Sequence, residues 1–298
     1  TMVFLFVIPM GAGLANYIVP LLIGARDMAF PRLNALSYWL FLFGGLIVYG
    51  GFLAPDGAAA GGWTAYPPLS GKEYSPGNGM DLWLLGLALV GTSSLIGSVN
   101  FIVTILRMRA KGMNLMKMPM FAWTTLTMGF MILLATPMLT GGFMMLIADR
   151  NFGTQFFNAT AGGDPVLWQH YFWFYSHPAV YIIILPAMGI VSEVLPVFSR
   201  KPVFGYTALV ISTIAIGVLG FSTWTHHMFT VGLPPTVEAI FVFSTMLIAV
   251  PTGVKVFNWV FTMIGGSLHF DTPMLYAIGF LVSFLIGGIT GVFQAILP

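Results

Sequence analysis

Apolar residues dominate eight long stretches of the chain, and glycine, proline or charged residues bound each of them. Each stretch is long enough to cross a bilayer, which takes about 20 mostly apolar residues in helical form. The stretches cover approximately residues 1–23, 36–54, 83–106, 119–148, 168–197, 204–225, 237–263 and 273–297. No repeat or linker interrupts the series. The pattern therefore predicts an all-α integral membrane protein, a polytopic helical bundle in which residues 1–298 form a single transmembrane domain.

The composition supports this prediction and excludes several classes of function. Hydrophobic residues make up 58% of the chain and charged residues 7%, whereas soluble domains carry about 25% charged residues. With 11 basic and 9 acidic residues the net charge is only +2, too little for a nucleic-acid-binding surface. The chain has no cysteine, which excludes disulfides and thiolate ligands. A bound metal must therefore use histidine, carboxylate or other oxygen ligands.

The basic residues predict how the bundle is oriented in the membrane. The connections after the first, third, fifth and seventh spans hold eight of them, and the other connections hold only Lys72 and Arg150. The eight are Arg26, Arg32, Arg107, Arg109, Lys111, Lys117, Arg200 and Lys201. Because basic residues accumulate in cytoplasmic loops, we expect these connections to lie on the inner side. The chain starts in an apolar stretch and stops at Pro298 without a polar tail, so we expect an internal fragment.

Three histidines lie in or at the ends of apolar spans, where ionisable groups are costly and usually functional. His177 lies in the fifth span, and His226 and His227 end the sixth. Adjacent residues on a regular helix point about 100° apart, so both members of the pair can face one ion only if the backbone leaves helical geometry. The following Gly232 and Pro-Pro provide that freedom. Three neutral imidazoles suit copper or zinc; the alternative is that each histidine only hydrogen-bonds a neighbouring helix.

A stripe of polar residues continues from this candidate metal site towards the inner side. Tyr181 lies one helical turn from His177, and Ser192 lies within about 20° of Tyr181 on a helical projection. Thr252 and Lys255 lie three residues apart near the inner end of the seventh span. These groups resemble a hydrogen-bonded proton route. The alternatives are that Lys255 reaches the inner interface and that Ser192 and Thr252 only pack helices.

Several motifs resemble subunit I of the haem-copper oxygen reductases, the terminal oxidases of respiration, and these motifs are distributed along most of the chain. They are GARDMAFPRLN at 24–34, GWTAYPPL at 62–69, DRN at 149–151, GDP at 163–165, WTHHMFTVG at 224–232 and PTGVKVF at 251–257. The resemblance implies that copper is bound by His177, His226 and His227. It further implies a covalent bond between His177 and Tyr181, so that Tyr181 can give an electron and a proton while dioxygen is split.

The resemblance also assigns two proton pathways. Lys255, Thr252 and Ser192 would form one that ends at Tyr181. Asp27, with Asn34 and Asn16, would form the mouth of a second one, whereas Asp27 taken alone would be a solvated loop charge. Two aromatic residues would lie near the cofactors, Trp63 by the haem propionates and Trp173 by the copper.

The chain departs from the family pattern at the end of the second pathway. Many members have a glutamate two residues after the first copper ligand, but this chain has Ala179. It instead has Tyr175 and Ser176 before His177, as in an A-type branch of the family that uses Tyr-Ser. Because Tyr175 and Ala179 are four residues apart on one helix face, the Tyr175 hydroxyl can reach towards the vacated space.

The resemblance implies two haems, one low-spin and one high-spin, but none of their iron ligands falls within this chain. His170 and His269 do not match the ligand positions. The chain would cover about eight of roughly twelve helices, without the N-terminal helix and the C-terminal helices that carry haem ligands.

We therefore expect a proton-pumping oxidase in a bacterial-type cytoplasmic membrane that reduces dioxygen to water, with cytochrome c as donor and subunits II and III as partners. A quinol oxidase is the close alternative. A nitric oxide reductase is disfavoured by Tyr181 and Lys255. A secondary transporter with a transition-metal site is the alternative from another class.

Overall fold

The computed structural model describes residue 5, residues 7–293 and residues 295–296, and throughout this part of the chain the regular structure is helical. The ends of the first and last predicted spans, residues 1–4, 6, 294 and 297, lie outside the described residues. The α-helices are α1 Ile8–Ile23, α2 Pro31–Gly50, α3 Gly79–Arg107, α4 Met120–Asn151, α5 Pro165–Ser199, α6 Tyr206–Leu219, α7 Pro235–Leu247, α8 Ala249–Met263 and α9 Thr272–Phe293.

The predicted membrane bundle is confirmed. In the described part of the chain six helical segments are long and apolar enough to span a membrane, and Pro9–Ile23 and Tyr206–Ser222 are shorter apolar helices. Two spans differ from the prediction. The sixth leaves α-helical geometry after Leu219, and the seventh is divided at Ile248 into α7 and α8.

Local sequence signals account for many helix ends. Proline occupies the first position of α2, α5 and α7, where its missing N–H costs nothing and its fixed φ suits a helix. Asp164 caps α5, because its carboxylate accepts a hydrogen bond of 2.8 Å from the Val166 amide. Gly24 ends α1 with a left-handed φ of 72°.

Successive helices pack side by side, with α3 between α2 and α4, and α4 against α5. Helices α2 and α3 approach closely at Gly44 and Gly86, where an added Cβ on Gly44 would lie 2.7 Å from the Gly86 carbonyl oxygen. Helix α5 also contacts α1, α8 and α9, and α6 packs against α8. The long α5 therefore lies at the centre of the bundle and carries more of the candidate site residues than any other helix.

The connection between α2 and α3 is held against the end of α4 by Arg150, which is 5% exposed. Its guanidinium pairs with the Asp81 carboxylate at 2.8 Å. It also donates to the carbonyl oxygens of Ser70, Ser75 and Gly77. Because each of these bonds has a charged donor, the contact is strong, and it fixes the loop that carries Trp63 and Tyr66.

Candidate functional site

Three histidines meet where α5 faces the segment after α6. His177, His226 and His227 each offer a ring nitrogen, and these nitrogens lie within 4.8 Å of one another. The Nδ1 atom of His177 lies 3.3 Å from Nε2 of His227. The ring of His226 lies 4.5 Å from that of His177 and 4.4 Å from that of His227, measured between centroids. We call these residues the histidine cluster.

The backbone between α6 and α7 explains how two adjacent histidines reach one point. Residues Trp224–His227 form a short 3₁₀ helix, and a second one follows at Phe229–Val231. Gly232 then adopts a left-handed φ of 85°, and Pro235 starts α7. The backbone thus leaves α-helical geometry at the pair, as the sequence predicts.

Neighbouring side chains hold two of the three rings. The Nδ1 atom of His226 and the Thr245 hydroxyl on α7 are 3.0 Å apart, so Nε2 of His226 is the nitrogen left for a metal. The indole of Trp173 stacks on the His227 ring, with 3.6 Å between centroids and 6° between planes. Hydrogen bonds and packing of this kind fix the orientation of metal-binding imidazoles.

The connection between α2 and α3 supports Trp173 in turn. The indole N–H of Trp173 donates a hydrogen bond to the phenol oxygen of Tyr66. Burial raises the pKa of Tyr66 above its usual range, although this hydrogen bond partly opposes the shift. The Tyr66 phenol therefore remains protonated at neutral pH. Contacts thus run from this connection through Trp173 to His227.

The cluster fits a metal ion. Two ligands about 2 Å from one ion at a tetrahedral angle would be about 3.3 Å apart, the separation that joins His177 and His227. Nδ1 is therefore the nitrogen of His177 that faces the ion, and its Nε2 atom, which is buried and has no hydrogen-bond partner among the described residues, is left on the opposite side of the ring. Neutral imidazoles without thiolates suit copper or zinc, so these residues are compatible with copper.

Tyr181 lies beside the cluster on α5. Its ring centroid is 4.7 Å from that of His177, and the rings meet edge to face. On the other side the phenol lies against Gly220, where an added Cβ would come within 3.0 Å of a Tyr181 ring carbon. The imidazole and the phenol are thus adjacent, and the glycine leaves room for the phenol.

Lys255 is completely buried, at 0% exposure, which argues against the alternative that it reaches the interface. Its ammonium donates a 2.6 Å hydrogen bond to the Thr213 hydroxyl on α6. The other two residues of the proposed stripe make separate contacts. Ser192 accepts a hydrogen bond from the Trp259 indole and donates to the Met188 carbonyl, and Thr252 donates to the Ile248 carbonyl.

Asn16 and Asn34 line one cavity of about 450 Å³, together with serines of α2 and α3. A smaller cavity of about 10 Å³ is lined by Tyr175, Thr136 and Thr140. The two cavities share Val90 and Ser94, so together they extend from the asparagines to Tyr175.

The remaining residues of this candidate pathway lie at its two ends. Asp27 is exposed in the turn between α1 and α2, and its carboxylate accepts a 2.7 Å hydrogen bond from the Met28 amide. It does not line the larger cavity. Ser176 is buried, and its hydroxyl has no partner among the described residues. Ala179 is also buried, at 3% exposure.

Three further residues from the sequence analysis lie outside the histidine cluster. Trp63 is 53% exposed, and its ring packs edge to face on Phe172 and Trp173. His170 accepts a 3.2 Å hydrogen bond from the Trp224 indole. The backbone amide of His269 donates to the Phe198 carbonyl.

Sequence reasoning missed four residues that contact the candidate site or fix a loop near it. Thr213, Thr245 and Trp259 hydrogen-bond to Lys255, His226 and Ser192, respectively. Asn100 pairs with both backbone polar groups of Phe30 and so holds the turn that carries Asp27. Of these, only Trp259 had a usable sequence signal. It lies four residues after Lys255 and therefore on the same face of α8 as a residue that the sequence analysis had already selected.

The whole chain, residues 1–298, matches the family described as Cytochrome C and Quinol oxidase polypeptide I. The chain belongs to this family. It is 56% identical over 297 residues to a Streptomyces avermitilis protein named putative cytochrome c oxidase subunit 1-beta. It is 52% identical over 297 residues to cytochrome c oxidase subunit 1 of a Synechocystis species.

These alignments cover 100% of this chain but 52% and 53% of the two relatives. The chain thus spans about half the length of the curated relatives it matches. Family membership and the apolar helices identify it as part of an integral membrane protein.

Proposed function

We propose that the protein containing this chain is a terminal oxidase that reduces dioxygen to water at a haem-copper centre and couples this reaction to proton translocation. The observation that carries the proposal is the histidine cluster with Tyr181 against His177. It occurs in a chain whose relatives are named cytochrome c oxidase subunit 1. A plain packing role for these histidines would not require three ring nitrogens to converge.

In this proposal His177, His226 and His227 hold one copper ion. When bound there, copper would supply one-electron redox chemistry to the reaction with dioxygen. Thr245 keeps the His226 ring in the tautomer that leaves Nε2 free, and Trp173 restricts rotation of the His227 ring. Tyr181 provides a phenolic hydrogen atom beside the centre. If the phenol is joined to His177, its distance and orientation are fixed by a covalent bond.

Protons reach the centre from the inner side by two routes in this account. The first uses Lys255, with Thr252 and Ser192, and ends at Tyr181. Its support is the full burial of Lys255, because an ammonium inside a membrane bundle is energetically costly and usually marks a functional site.

The second route runs from Asp27 past Asn16 and Asn34 to Tyr175 and Ser176. Its support is the pair of cavities that share Val90 and Ser94. The Tyr175 phenol would then replace the glutamate carboxylate that many family members have at the position of Ala179.

The other cofactors and the partners belong to the wider protein. We assign no haem iron ligand to this chain. Other segments would bind the low-spin and the high-spin haem, with Trp63 near the haem propionates. Subunits II and III would complete the assembly in a bacterial cytoplasmic membrane, and cytochrome c is the proposed donor because both relatives above carry that name.

A quinol oxidase is the second candidate, because the family description covers both donors. The transporter alternative loses its support, since the family match extends over all 298 residues.

A visible spectrum of the complete protein tests the proposal. The reduced protein should show haem bands, and the bands of one haem should shift with carbon monoxide. Copper-containing protein without haem bands would overturn the proposal. Oxygen uptake with cytochrome c against that with a quinol then identifies the donor.

A further inference from the structure

Lys255 and Thr213 form a buried polar pair inside the bundle. Both side chains are 0% exposed, and the Lys255 ammonium donates to the Thr213 hydroxyl over 2.6 Å. The same hydroxyl donates to the Leu209 carbonyl of its own helix over 2.8 Å. The threonine oxygen therefore has a fixed orientation, with its proton directed to the backbone and a lone pair directed to the lysine.

Thr213 lies on the face of α6 that leads to Tyr181. Gly220 follows it by seven residues, which is two helical turns, so the two positions share a face and are about 10 Å apart along the axis. Gly220 is the residue against which the Tyr181 ring packs. The ammonium is thus held on the face of α6 that, two helical turns further along the chain, contacts the Tyr181 ring at Gly220.

The hydroxyls that the sequence suggested for this role make other contacts. Ser192 bonds to Trp259 and to the Met188 carbonyl, and Thr252 bonds to the Ile248 carbonyl. A lysine side chain is a flexible four-carbon stem that needs a partner to select one rotamer. Thr213 is the side chain that provides this partner in the described part of the protein.

We propose that Thr213 is a positioning residue for Lys255. Its hydroxyl holds the ammonium against the face of α6 that leads to Tyr181, so that Lys255 can pass protons towards Tyr181. This inference rests on the proposed oxidase function and adds a residue to its first proton route. The route then includes a residue of α6, in addition to Ser192 of α5 and Thr252 and Lys255 of α8.

The test compares two substitutions of nearly equal size. Thr213→Val removes the hydroxyl and keeps the branched shape, whereas Thr213→Ser keeps the hydroxyl. We expect the Val variant to reduce the high-spin haem about tenfold more slowly, as for loss of a hydrogen bond to a charged group. The Ser variant should stay within about twofold of wild type, and haem spectra and copper content should be unchanged in both.

A double variant separates positioning from a general packing defect. If Thr213 acts through Lys255, then Thr213→Val combined with Lys255→Met is no slower than Lys255→Met alone. Additive slowing, or equal rates for the Val and Ser variants, would overturn the inference. If the Val variant does not assemble, Thr213→Ala is used and wild-type rates in it would overturn the inference equally.

Further controls distinguish a failure of the Thr213 inference from a failure of the proposed oxidase function. An inactive parent protein without haem would contradict the oxidase itself. A parent that works normally while Lys255→Met has no effect would contradict the whole route. Only the comparison of Val with Ser concerns Thr213 alone.

Discussion

The histidine cluster and the surroundings of Lys255 are both polar, but they differ in burial and in contacts: His177 is buried while His227 is exposed, whereas Lys255 is completely buried. In the cluster, three rings converge on one point, and Thr245 and Trp173 hold two of them from outside. Around Lys255, the hydroxyls of Ser192, Thr252 and Thr213 each donate to the backbone carbonyl four residues earlier in the chain. Only Thr213 also reaches the lysine.

The difference reflects what each kind of site requires. A metal ion needs several donor atoms at one place, so the loss of one ligand should remove the function. A proton route needs polar groups at intervals, with water between them, so the loss of one group should lower a rate. The following predictions test that contrast, starting with the largest effect.

Replacing His226 or His227 by alanine should abolish oxygen reduction and remove one copper per complex, because two imidazoles no longer complete the site. Metal analysis and oxygen uptake measure this, and the low-spin haem spectrum should remain. His269→Ala is the matched control and should keep copper and activity, since His269 contributes a backbone contact outside the cluster. Full copper occupancy in the His226 variant would refute the ligand assignment.

Replacing Lys255 by methionine should slow reduction of the high-spin haem about a hundredfold, because an electron without a compensating proton costs on the order of 3 kcal/mol in a low-dielectric site. Copper content and haem spectra should be normal, as measured alongside stopped-flow reduction. Lys111→Met removes an exposed lysine and should have no effect. Rapid reduction in the Lys255 variant would exclude it from the route.

Replacing Thr245 by valine should weaken copper binding about tenfold, as is usual when a hydrogen bond to a ligating histidine is removed. The measurement is the rate at which a chelator extracts copper, compared with wild type. Thr245→Ser retains the hydroxyl and should behave like the parent. Equal extraction from both variants would show that the contact with His226 does not support the metal.

Replacing Tyr175 by phenylalanine should reduce proton ejection per electron more than it reduces oxygen uptake. Folding should persist, because one hydrogen bond contributes only about 1 kcal/mol. Adding Ala179→Glu to this variant should restore ejection if both positions serve one route. Unchanged ejection in the phenylalanine variant would remove Tyr175 from the pathway.

The sequence predicted the spans and the residues of the histidine cluster because both follow from local signals. Apolar length marks each span, and a histidine pair followed by Gly232 and Pro234 marks the departure from helical geometry. The division of the seventh span at Ile248 follows from Pro251, which has no N–H to donate to the Leu247 carbonyl four residues earlier, although the prediction carried this span through as one helix. Residues that meet across helices, such as Thr213 with Lys255, could not be predicted, because their contact depends on the rotation of α6 against α8.

The central claim is that His177 and Tyr181 belong to one oxygen-reducing copper centre, and the mass of the peptide that contains both residues tests it most directly. In active protein the account predicts a mass lower by two hydrogen atoms than the sequence requires, because a covalent bond joins the imidazole to the phenol. A metal transporter would have no reason to form this bond. An unmodified peptide from fully active protein would contradict the account.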